Sequence, residues 1–402
     1  MAETRQLESA DRSLFPSGDR SHIARELREG SSWAKGLWIA AVIIGILDAF
    51  RWRTGIGFAY DSQPAWQSAH AILHGGASWN RFVYLPGCLL FAFPLALLPF
   101  KVTEVLVYAV QLLGLGYTFW AMTRVIKLPL GSVRVAWAAF LLVLCGQLGI
   151  VAHYENFTLL LVPLAAVFFL AVDRDRPTAA AVILGLSLTL KPLLAPLLLV
   201  LLVQRRWRDS AVAVLIPAVL SAVTLLIVVG LSADPSKFWH EVTSTFSADT
   251  GKPWNMSLSA MAAYLHLPAA AGDVVRLLVV VACLVACWRI WSRPRTAGGE
   301  QAVWLTAPLF VILVLCFSFS WGYYCLLFVP MGFVALRRDR LSDWVVRVGV
   351  FLALAPPLLV YSVPGYPDRY YNEFTDHIFK LGIALNGASV VGVLLVLAGV
   401  LL

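Results

Sequence analysis

The chain of 402 residues is 60% hydrophobic, only 13% charged, and carries a formal net charge of +8. This excludes a water-soluble domain, because such domains are about 45–50% apolar and about 25% charged. The positive charge does not indicate nucleic-acid binding, since Lys and Arg stand in short segments between apolar runs, without interleaved aromatic residues. The apolar runs are continuous and do not alternate, which favours helices over a barrel. We therefore predict an all-α, polytopic transmembrane bundle.

The apolar runs predict about ten to twelve helices, because a helix that crosses a bilayer needs roughly 20 residues. Residues 1–32 are polar and lack the apolar run of a signal peptide, so they are predicted to be a cytoplasmic N-terminal tail. Residues 33–402 are then a single transmembrane domain. The runs are 35–50, 83–100, 104–123, 135–151, 157–172, 178–203, 211–231, 274–291, 302–319, 323–336, 345–362 and 380–402.

Basic clusters predict the orientation of these helices, because cytoplasmic loops are enriched in Lys and Arg. Between two of the clusters, the run 178–203 is interrupted by Lys191 and Pro192. This predicts either a hairpin with Lys191 near its outer tip or one long crossing. The hairpin places two extended loops outside, at about 232–272 and 363–378. A third outer loop, at about 51–82, follows the run 35–50. The clusters lie at 173–176, 204–208, 289–295 and 337–340.

The helices that precede residue 173 do not give a consistent orientation. The run 35–50 carries the chain to the outside, and the four runs that follow it would then end outside, although the cluster at 173–176 is predicted inside. Either one of these runs is re-entrant, or part of the segment 61–80 enters the membrane. The sequence leaves both alternatives open.

Signals for a metal or a cofactor are weak in this sequence. The six cysteines lie in or beside apolar runs, where free cysteine is a common small buried hydrophobe. His70 and His74 stand one helical turn apart, but no third metal ligand is evident near them. We expect no cofactor. The sequence leaves a divalent metal open, although the scarcity of clustered outer carboxylates argues against one.

Asp61 is the first candidate for chemistry. It follows the first predicted helix, in the segment FAYDSQP at residues 58–64. Aromatic neighbours at a membrane surface desolvate a carboxylate, which raises its pKa and makes it a better general base. The alternative is a solvated loop residue, or the N-cap of an amphipathic helix over 62–75.

Lys191 is the second candidate, because its segment is apolar on both sides. An ionisable residue in such a place costs roughly 2.5–3.5 kcal/mol on insertion scales and indicates a function by default. A buried ammonium needs an anion, which a lipid phosphate would supply, and Pro192 favours a break in the helix. The alternative is a lysine at a helix end that extends to the lipid headgroups.

Other polar positions have both a structural and a functional interpretation. Asn156 and Asn255 are either helix caps or pocket residues. Tyr323 and Tyr324 form either an aromatic belt at the membrane interface or part of a pocket. Arg81 pairs either with a substrate phosphate or with a lipid headgroup.

Three stretches carry a resemblance to a known family. The first is DSQPAW (61–66) with AILHGG (71–76), followed by YLP (84–86) and PLALLP (94–99). The second is LKPLLAP (190–196) with RRWR (205–208), and the third is GYY (322–324). In this order, along nearly the whole apolar part of the chain, the stretches resemble glycosyltransferase family 87, which has the GT-C architecture.

The resemblance implies a transmembrane transferase that takes a sugar from a polyprenyl-phosphate donor and builds actinobacterial envelope glycans or glycolipids. Its site would face the outer, periplasmic side of the bacterial plasma membrane. The chain is most similar to the α-(1→3)-arabinofuranosyltransferase branch, which uses decaprenyl-phosphoryl arabinose. Mannosyl transfer is the alternative within the family, although its mannosyltransferases tend to carry a histidine where this chain has Trp321 to Tyr324. A lipid or solute transporter (a flippase) is a further alternative, but the chain lacks clearly repeated halves.

The same resemblance implies roles for individual residues. Asp61 matches the acidic residue of the family's first outer loop, which implies the general base of an inverting displacement. Lys191 is expected to hold the donor phosphate, together with Arg81. The YLP stretch stands where the family favours Tyr-Pro-Pro, which leaves acceptor recognition open. The sugar and acceptor pocket is expected to contain Tyr60, Gln63, Tyr84, Asn156, Asn255, Tyr323 and Tyr324.

Overall fold

A computed structural model describes residues 19–53, 61–76, 82, 84–230, 236–240, 243, 255–292, 298–317, 320–355 and 376–402. Within these ranges the chain is helical and contains no β-strand, apart from one isolated bridge between Asn255 and Trp321. The all-α prediction is therefore confirmed. All six cysteines are free and five are buried, as expected for small core residues.

The described part before residue 157 contains seven α-helices. A short 3-10 turn, Pro86–Cys88, precedes the fourth of them. The helices are α1 (Asp19–Glu29), α2 (Ser32–Arg53), α3 (Ser62–Leu73), α4 (Leu89–Ala96), α5 (Phe100–Ile126), α6 (Val133–Leu144) and α7 (Gly146–His153).

After residue 157 the structure gives the bounds of ten more α-helices, and residues 236–240 are also helical. Two further 3-10 turns, Pro192–Leu197 and Gly322–Phe328, interrupt the apolar runs in which they lie. The helices are α8 (Thr158–Asp173), α9 (Pro177–Leu190), α10 (Leu198–Val203), α11 (Trp207–Gly230), α12 (Leu258–Tyr264), α13 (Ala269–Ser292), α14 (Gly299–Leu315), α15 (Val329–Ala335), α16 (Leu341–Leu354) and α17 (Asp376–Leu401).

Helix length separates full crossings from shorter pieces. Among the described residues, α5, α11 and α13 are each long and apolar enough to cross a membrane, and a bent pair of α1 and α2 would make a fourth. Leu226, Leu277 and Leu278 are exposed on α11 and α13, which suits contact with lipid. The buried helix α8 lies among α5, α9 and α14 and forms much of the core.

The run 83–100 does not form the single long helix that its composition predicts. It contains a 3-10 turn and the eight-residue helix α4, with Pro94 inside the helix. Eight residues extend only about 12 Å at 1.5 Å per residue, against about 30 Å for the hydrocarbon layer. α4 packs against α3 instead. The run 83–100 therefore does not count as a crossing. With three crossings instead of four between the run 35–50 and residue 173, the basic cluster at 173–176 falls inside, as its charge predicts.

The run 178–203 is a hairpin, so the alternative of one long crossing is wrong. α9 ends at Leu190, and Lys191 is extended, with φ −160° and ψ 128°. A residue that precedes proline disfavours the helical region, which explains the break before Pro192. The chain then returns through the 3-10 turn and α10, and Arg206 forms an ion pair of 3.0 Å with Asp175 from the start of the hairpin.

Where the structure describes them, the basic clusters lie together at one end of the bundle, which we call the basic end. The N–H of Gly299 donates to Asp173 Oδ1 at 3.0 Å. Glu300, at the start of α14, pairs with Arg337 and, at 3.5 Å, with Arg338. α8 ends at this basic end and α9 begins there, so Thr158 and Lys191 lie at the opposite end, which we call the site end.

A close backbone approach joins the site end to α9 and α11. The structure leaves no room for a side chain at Gly87, where a Cβ atom would lie 2.8 Å from Thr189 Cγ2 and 3.1 Å from the Ser221 nitrogen. The Gly87 N–H also donates to Ser221 Oγ at 3.3 Å.

Gly87→Ala is therefore expected to destabilise the protein by about 1–3 kcal/mol, the usual cost of overpacking a rigid core. Thermal unfolding of the purified protein in detergent measures this as a lowered Tm. Gly116→Ala is the control, because a Cβ atom there meets nothing within 4 Å. An equal Tm for the two variants would contradict the packing described here.

Candidate active site

Four separate segments meet at the site end of the bundle. Asp61 directly precedes α3, and the turn 154–157 directly precedes α8. Lys191 follows α9, and the 3-10 turn that begins at Gly322 supplies two tyrosines. A Cβ atom at Gly322 would lie 2.5 Å from Nε2 of the buried Gln147, so the end of that side chain packs directly against the glycine.

The Asn156 side chain is the centre of a hydrogen-bond network. Its Nδ2 donates to Asp61 Oδ2 at 2.7 Å and to the Tyr323 hydroxyl at 2.9 Å. Its Oδ1 accepts from the Thr158 N–H at 2.8 Å and from Lys191 Nζ at 3.2 Å. These four bonds are all that a primary amide can make. Since a carboxylate only accepts and an ammonium only donates, the orientation of the amide follows from its partners.

Asn156 therefore has both of the roles that the sequence left open, at a helix start and in the network of the site. It caps the first turn of α8 through the Thr158 N–H, and it also connects the carboxylate of Asp61 to the ammonium of Lys191. The side chain is buried, with an exposed fraction of 2%. In addition, Gln111 Nε2 donates to the Asn156 carbonyl at 3.2 Å, which ties this turn to α5.

The ammonium of Lys191 lies among aromatic rings. Its second hydrogen bond, of 3.1 Å, is to Thr158 Oγ1. The rings of Tyr84, Tyr323 and Tyr324 lie 5.9, 5.5 and 4.9 Å from Nζ, within the range of a cation–π contact. An ammonium has three N–H donors, and only two have hydrogen-bond partners among the described residues. The third is available to an anion.

The carboxylate of Asp61 is half-buried, and among the described residues only its Oδ2 accepts a hydrogen bond. Burial raises the pKa of Asp61, while the hydrogen bond from Asn156 and the charge of Lys191 lower it. Asp61 stands at the N-cap position of α3, as one interpretation of the sequence predicted, but its side chain forms no capping bond there. The remaining oxygen, Oδ1, is thus placed to receive a proton.

Nine of the ten predicted site residues divide into three groups, and Asn255 is described separately below. Asp61, Tyr84, Asn156, Lys191, Tyr323 and Tyr324 lie together, and Tyr84 reaches Asp61 by donating from its hydroxyl to the Asp61 carbonyl at 3.3 Å. Gln63 is exposed on α3. Tyr60 and Arg81 lie outside the described residues.

Asn255 has a structural task that its sequence context only partly suggested. Its buried Oδ1 accepts from the N–H groups of Ser257 at 3.1 Å and of Ser320 at 3.0 Å. Ser257, two residues later, is the N-cap of α12. Asn255 therefore joins the start of α12 to the segment that carries Trp321 and Tyr323, whose rings stack at 5.4 Å.

Sequence reasoning missed several residues of this network. Thr158 and Gln111 are polar residues inside apolar helices, and such a position is itself a signal. Glu155, next to Asn156, is completely buried and bonded to Ser62. Within the described ranges, no three His, Cys, Asp or Glu side chains are grouped so that they could hold a metal ion.

Asn156→Asp is expected to move the pH dependence of activity. The new carboxyl group would face Asp61 at 2.7 Å, in place of the donor that lowers the pKa of that residue. Two carboxylates that share a site raise one pKa strongly. The acid limb of the rate against pH should therefore move to higher pH by about one unit or more. An unchanged limb with a uniformly lower rate would indicate loss of folding instead.

The sequence of this chain was compared with those of known proteins. A sequence profile of glycosyltransferase family 87 matches residues 82–318. An alpha-(1->3)-arabinofuranosyltransferase from Mycobacterium tuberculosis is 26% identical over 330 residues, which cover 78% of this chain and 75% of that protein. The Corynebacterium glutamicum protein of that name is 25% identical over 281 residues, covering 69% and 65% of the two chains. No solved structure matches the chain.

Proposed function

The chain belongs to glycosyltransferase family 87, and from this membership we propose that it transfers an arabinofuranosyl group from decaprenyl-phosphoryl arabinose to an envelope glycan or glycolipid. It is a multi-pass membrane glycosyltransferase, as its motifs and apolar helices predicted. The arabinosyl donor is proposed because the relatives from Mycobacterium tuberculosis and Corynebacterium glutamicum carry the name of an arabinofuranosyltransferase.

One observation carries the proposed chemistry: Asp61 and Lys191 are both hydrogen-bonded to the side chain of Asn156. A half-buried carboxylate with a free oxygen suits a general base. An ammonium with a free N–H suits a phosphate that gains charge as it leaves. A single amide therefore holds both groups at one site.

The proposed reaction is an inverting displacement. Asp61 removes the proton of the acceptor hydroxyl as its oxygen bonds to the anomeric carbon of the donor. The bond from that carbon to the phosphate oxygen breaks, and the electron pair leaves with the polyprenyl phosphate. Lys191 neutralises the departing phosphate, and Arg81 is proposed as a second phosphate contact from the sequence resemblance. No metal is required in this scheme.

The sugar pocket is proposed to lie beside the Lys191 ammonium. Tyr84, Tyr323 and Tyr324 are buried there and place aromatic rings around Nζ. Such rings contact the apolar faces of a furanose, while Asn156 and the tyrosine hydroxyls are able to bond its hydroxyl groups. Tyr60 and Gln63 are proposed for the acceptor side, with exposed Gln63 at the entrance. Asn255 is buried and is proposed to support the pocket through Ser320, which precedes Trp321 and Tyr323.

The placement of the site relative to the membrane is also proposed. If the basic end faces the cytoplasm, as the enrichment of Lys and Arg in inner loops favours, the site end lies at the periplasmic face of a bacterial plasma membrane. The decaprenyl donor would then approach Lys191 from the outer leaflet. Residues 33–402 would form the single transmembrane domain, with 1–32 as a cytoplasmic tail.

The test uses the purified protein in proteoliposomes. Radiolabelled decaprenyl-phosphoryl arabinose is supplied with an arabinan acceptor, and labelled product is separated and its linkage determined. Transfer of arabinose, but not of mannose from polyprenyl-phosphoryl mannose, is expected. Mannose transfer alone would overturn the donor assignment. Protein-dependent movement of a solute or lipid across the bilayer, without transfer from either donor, would favour the transporter alternative.

A further inference from the structure

Three consecutive residues hold the dipeptide that contains the proposed base. The Asp61 N–H donates to the Tyr154 carbonyl at 2.9 Å. Ser62 Oγ donates to Glu155 Oε2 at 2.5 Å. Asn156 Nδ2 donates to Asp61 Oδ2 at 2.7 Å. The Asp61–Ser62 pair is therefore fixed by its backbone and by both of its side chains.

Glu155 ends helix α7 with a left-handed backbone. Its φ is 50°, its N–H donates to the Ala152 carbonyl, and the Asn156 N–H donates to the Val151 carbonyl. This is a common way to end a helix, and α5 and α8 end in the same way at Lys127 and Asp175. At Glu155 the left-handed residue lets the Tyr154 carbonyl, the Glu155 side chain and the Asn156 side chain all reach one dipeptide.

Burying the Glu155 side chain costs free energy. It has an exposed fraction of 0%, and its Oε1 has no hydrogen-bond partner in the described part of the chain. No described Lys or Arg forms an ion pair with it. Burial raises the pKa of Glu155 to about 8, although the hydrogen bond from Ser62 lowers it. A buried carboxyl group with one satisfied oxygen does not stabilise a fold. Its single bond to Ser62 is its evident task.

We propose that Glu155 is a positioning residue, which acts through the Ser62 hydroxyl to hold the free oxygen of Asp61 toward the acceptor. This inference rests on the proposed function, because it assumes that Asp61 is the base. The side chain of Asp61 forms no bond to the first turn of α3. Its direction therefore depends on Asn156 and on the neighbouring peptide, which Glu155 holds through Ser62.

The test is a double-mutant cycle on arabinosyl transfer in proteoliposomes. Ser62→Ala and Glu155→Ala each remove the hydrogen bond, and each is expected to lower kcat about tenfold, with the donor KM changed less than about twofold. The double variant should be no slower than the slower single variant, since both remove one interaction. Glu155→Gln keeps an acceptor for Ser62 and should retain most of the wild-type kcat.

The control for loss of a buried hydroxyl is Ser68→Ala. Ser68 lies on the same helix α3, is equally buried, and its Oγ has no hydrogen-bond partner in the described residues. Its kcat should equal that of the wild type. Ser62→Ala removes only one oxygen, so it keeps the test usable if Glu155→Ala fails to fold.

Several outcomes would overturn the inference. These are an unchanged kcat in Ser62→Ala, independent losses that multiply in the double variant, or a loss confined to donor KM. Two other results would show instead that the proposed function is wrong. These are wild-type activity in Asp61→Asn, or no transfer from any donor. A wild type that is active, with Asp61→Asn inactive and Ser62→Ala fully active, rejects the role of Glu155 alone.

Discussion

Asp61→Asn is expected to lower kcat for arabinosyl transfer by about 10²–10⁴-fold, the usual contribution of a general base. The amide has the size of the carboxylate but cannot take up the acceptor proton. Its Oδ1 can still accept the hydrogen bond from Asn156 that Asp61 receives in the wild type. The network should therefore survive, and the loss should appear in kcat with little change in protein yield or Tm.

The pH dependence gives a second sign of this role. The base acts when deprotonated, so the wild-type rate should fall as the pH drops through the pKa of Asp61. Burial raises that pKa, and the limb should therefore lie above the ordinary value of about 3.9. The residual activity of Asp61→Asn should lack this limb, because the titrating group has been removed.

The matched control for this variant is Asp209→Asn. It makes the same chemical change at the basic end, where Asp209 accepts a hydrogen bond from the Thr178 hydroxyl. Its activity should equal that of the wild type. If Asp61→Asn retains more than a tenth of the wild-type kcat, Asp61 is not the base, and the displacement scheme fails with it.

Lys191→Met is expected to lower kcat/KM for the donor by about 10²–10³-fold, the size of loss found when one donor to a developing anion is removed. Methionine keeps an unbranched apolar side chain that ends one atom before the position of Nζ, so the rings of Tyr84, Tyr323 and Tyr324 still have a neighbour. What is lost is the charge that would face the leaving phosphate. The measurement is transfer at subsaturating and saturating donor.

Two consequences of Lys191→Met can be separated by pH. The charge of Lys191 lowers the pKa of Asp61, so its removal should move the acid limb to higher pH. Above that limb Asp61 is fully ionised in both proteins, and the remaining deficit measures the missing phosphate contact. A deficit that disappears at high pH would mean that Lys191 acts only through Asp61.

Two further variants serve as controls: Lys191→Arg keeps the charge at the site, and Lys101→Met removes a charge elsewhere. Three tyrosine rings lie within 5.9 Å of Nζ, so the larger, planar guanidinium should restore only part of the activity. Lys101 is exposed in the first turn of α5, and its replacement by Met should leave transfer unchanged. Equal losses at Lys101 and Lys191 would point to a general effect of surface charge on lipid contact.

The motifs identified residues that the structure brings together, whereas the apolar runs did not all correspond to helices of their own length. Asp61 and Lys191 are conspicuous in sequence because each is an ionisable residue in or beside apolar segments. Run 83–100, in contrast, is as apolar as a crossing helix, yet it forms a turn and the short helix α4. Hydropathy reports which residues avoid water, and a residue buried against protein is then indistinguishable from one that faces lipid.

The roles of neighbouring polar residues could not be predicted in the same way. Asn156 was equally a cap or a pocket residue, and the structure gives it both tasks. Glu155 and Thr158 drew no prediction, because their partners Ser62 and Lys191 lie 93 and 33 residues away. A hydrogen bond across such a separation has no local pattern that a sequence could display.

By itself the sequence determined an all-α membrane bundle, a break at Lys191 and Pro192, and membership of a glycosyltransferase family. These follow from composition, from the stereochemistry of proline and from short motifs, all of which are local. Only the tertiary structure decided that the run 178–203 folds back and that Asp61, Asn156 and Lys191 meet. Their meeting depends on how α3, α8 and α9 pack, and packing is a property of surfaces distant in sequence.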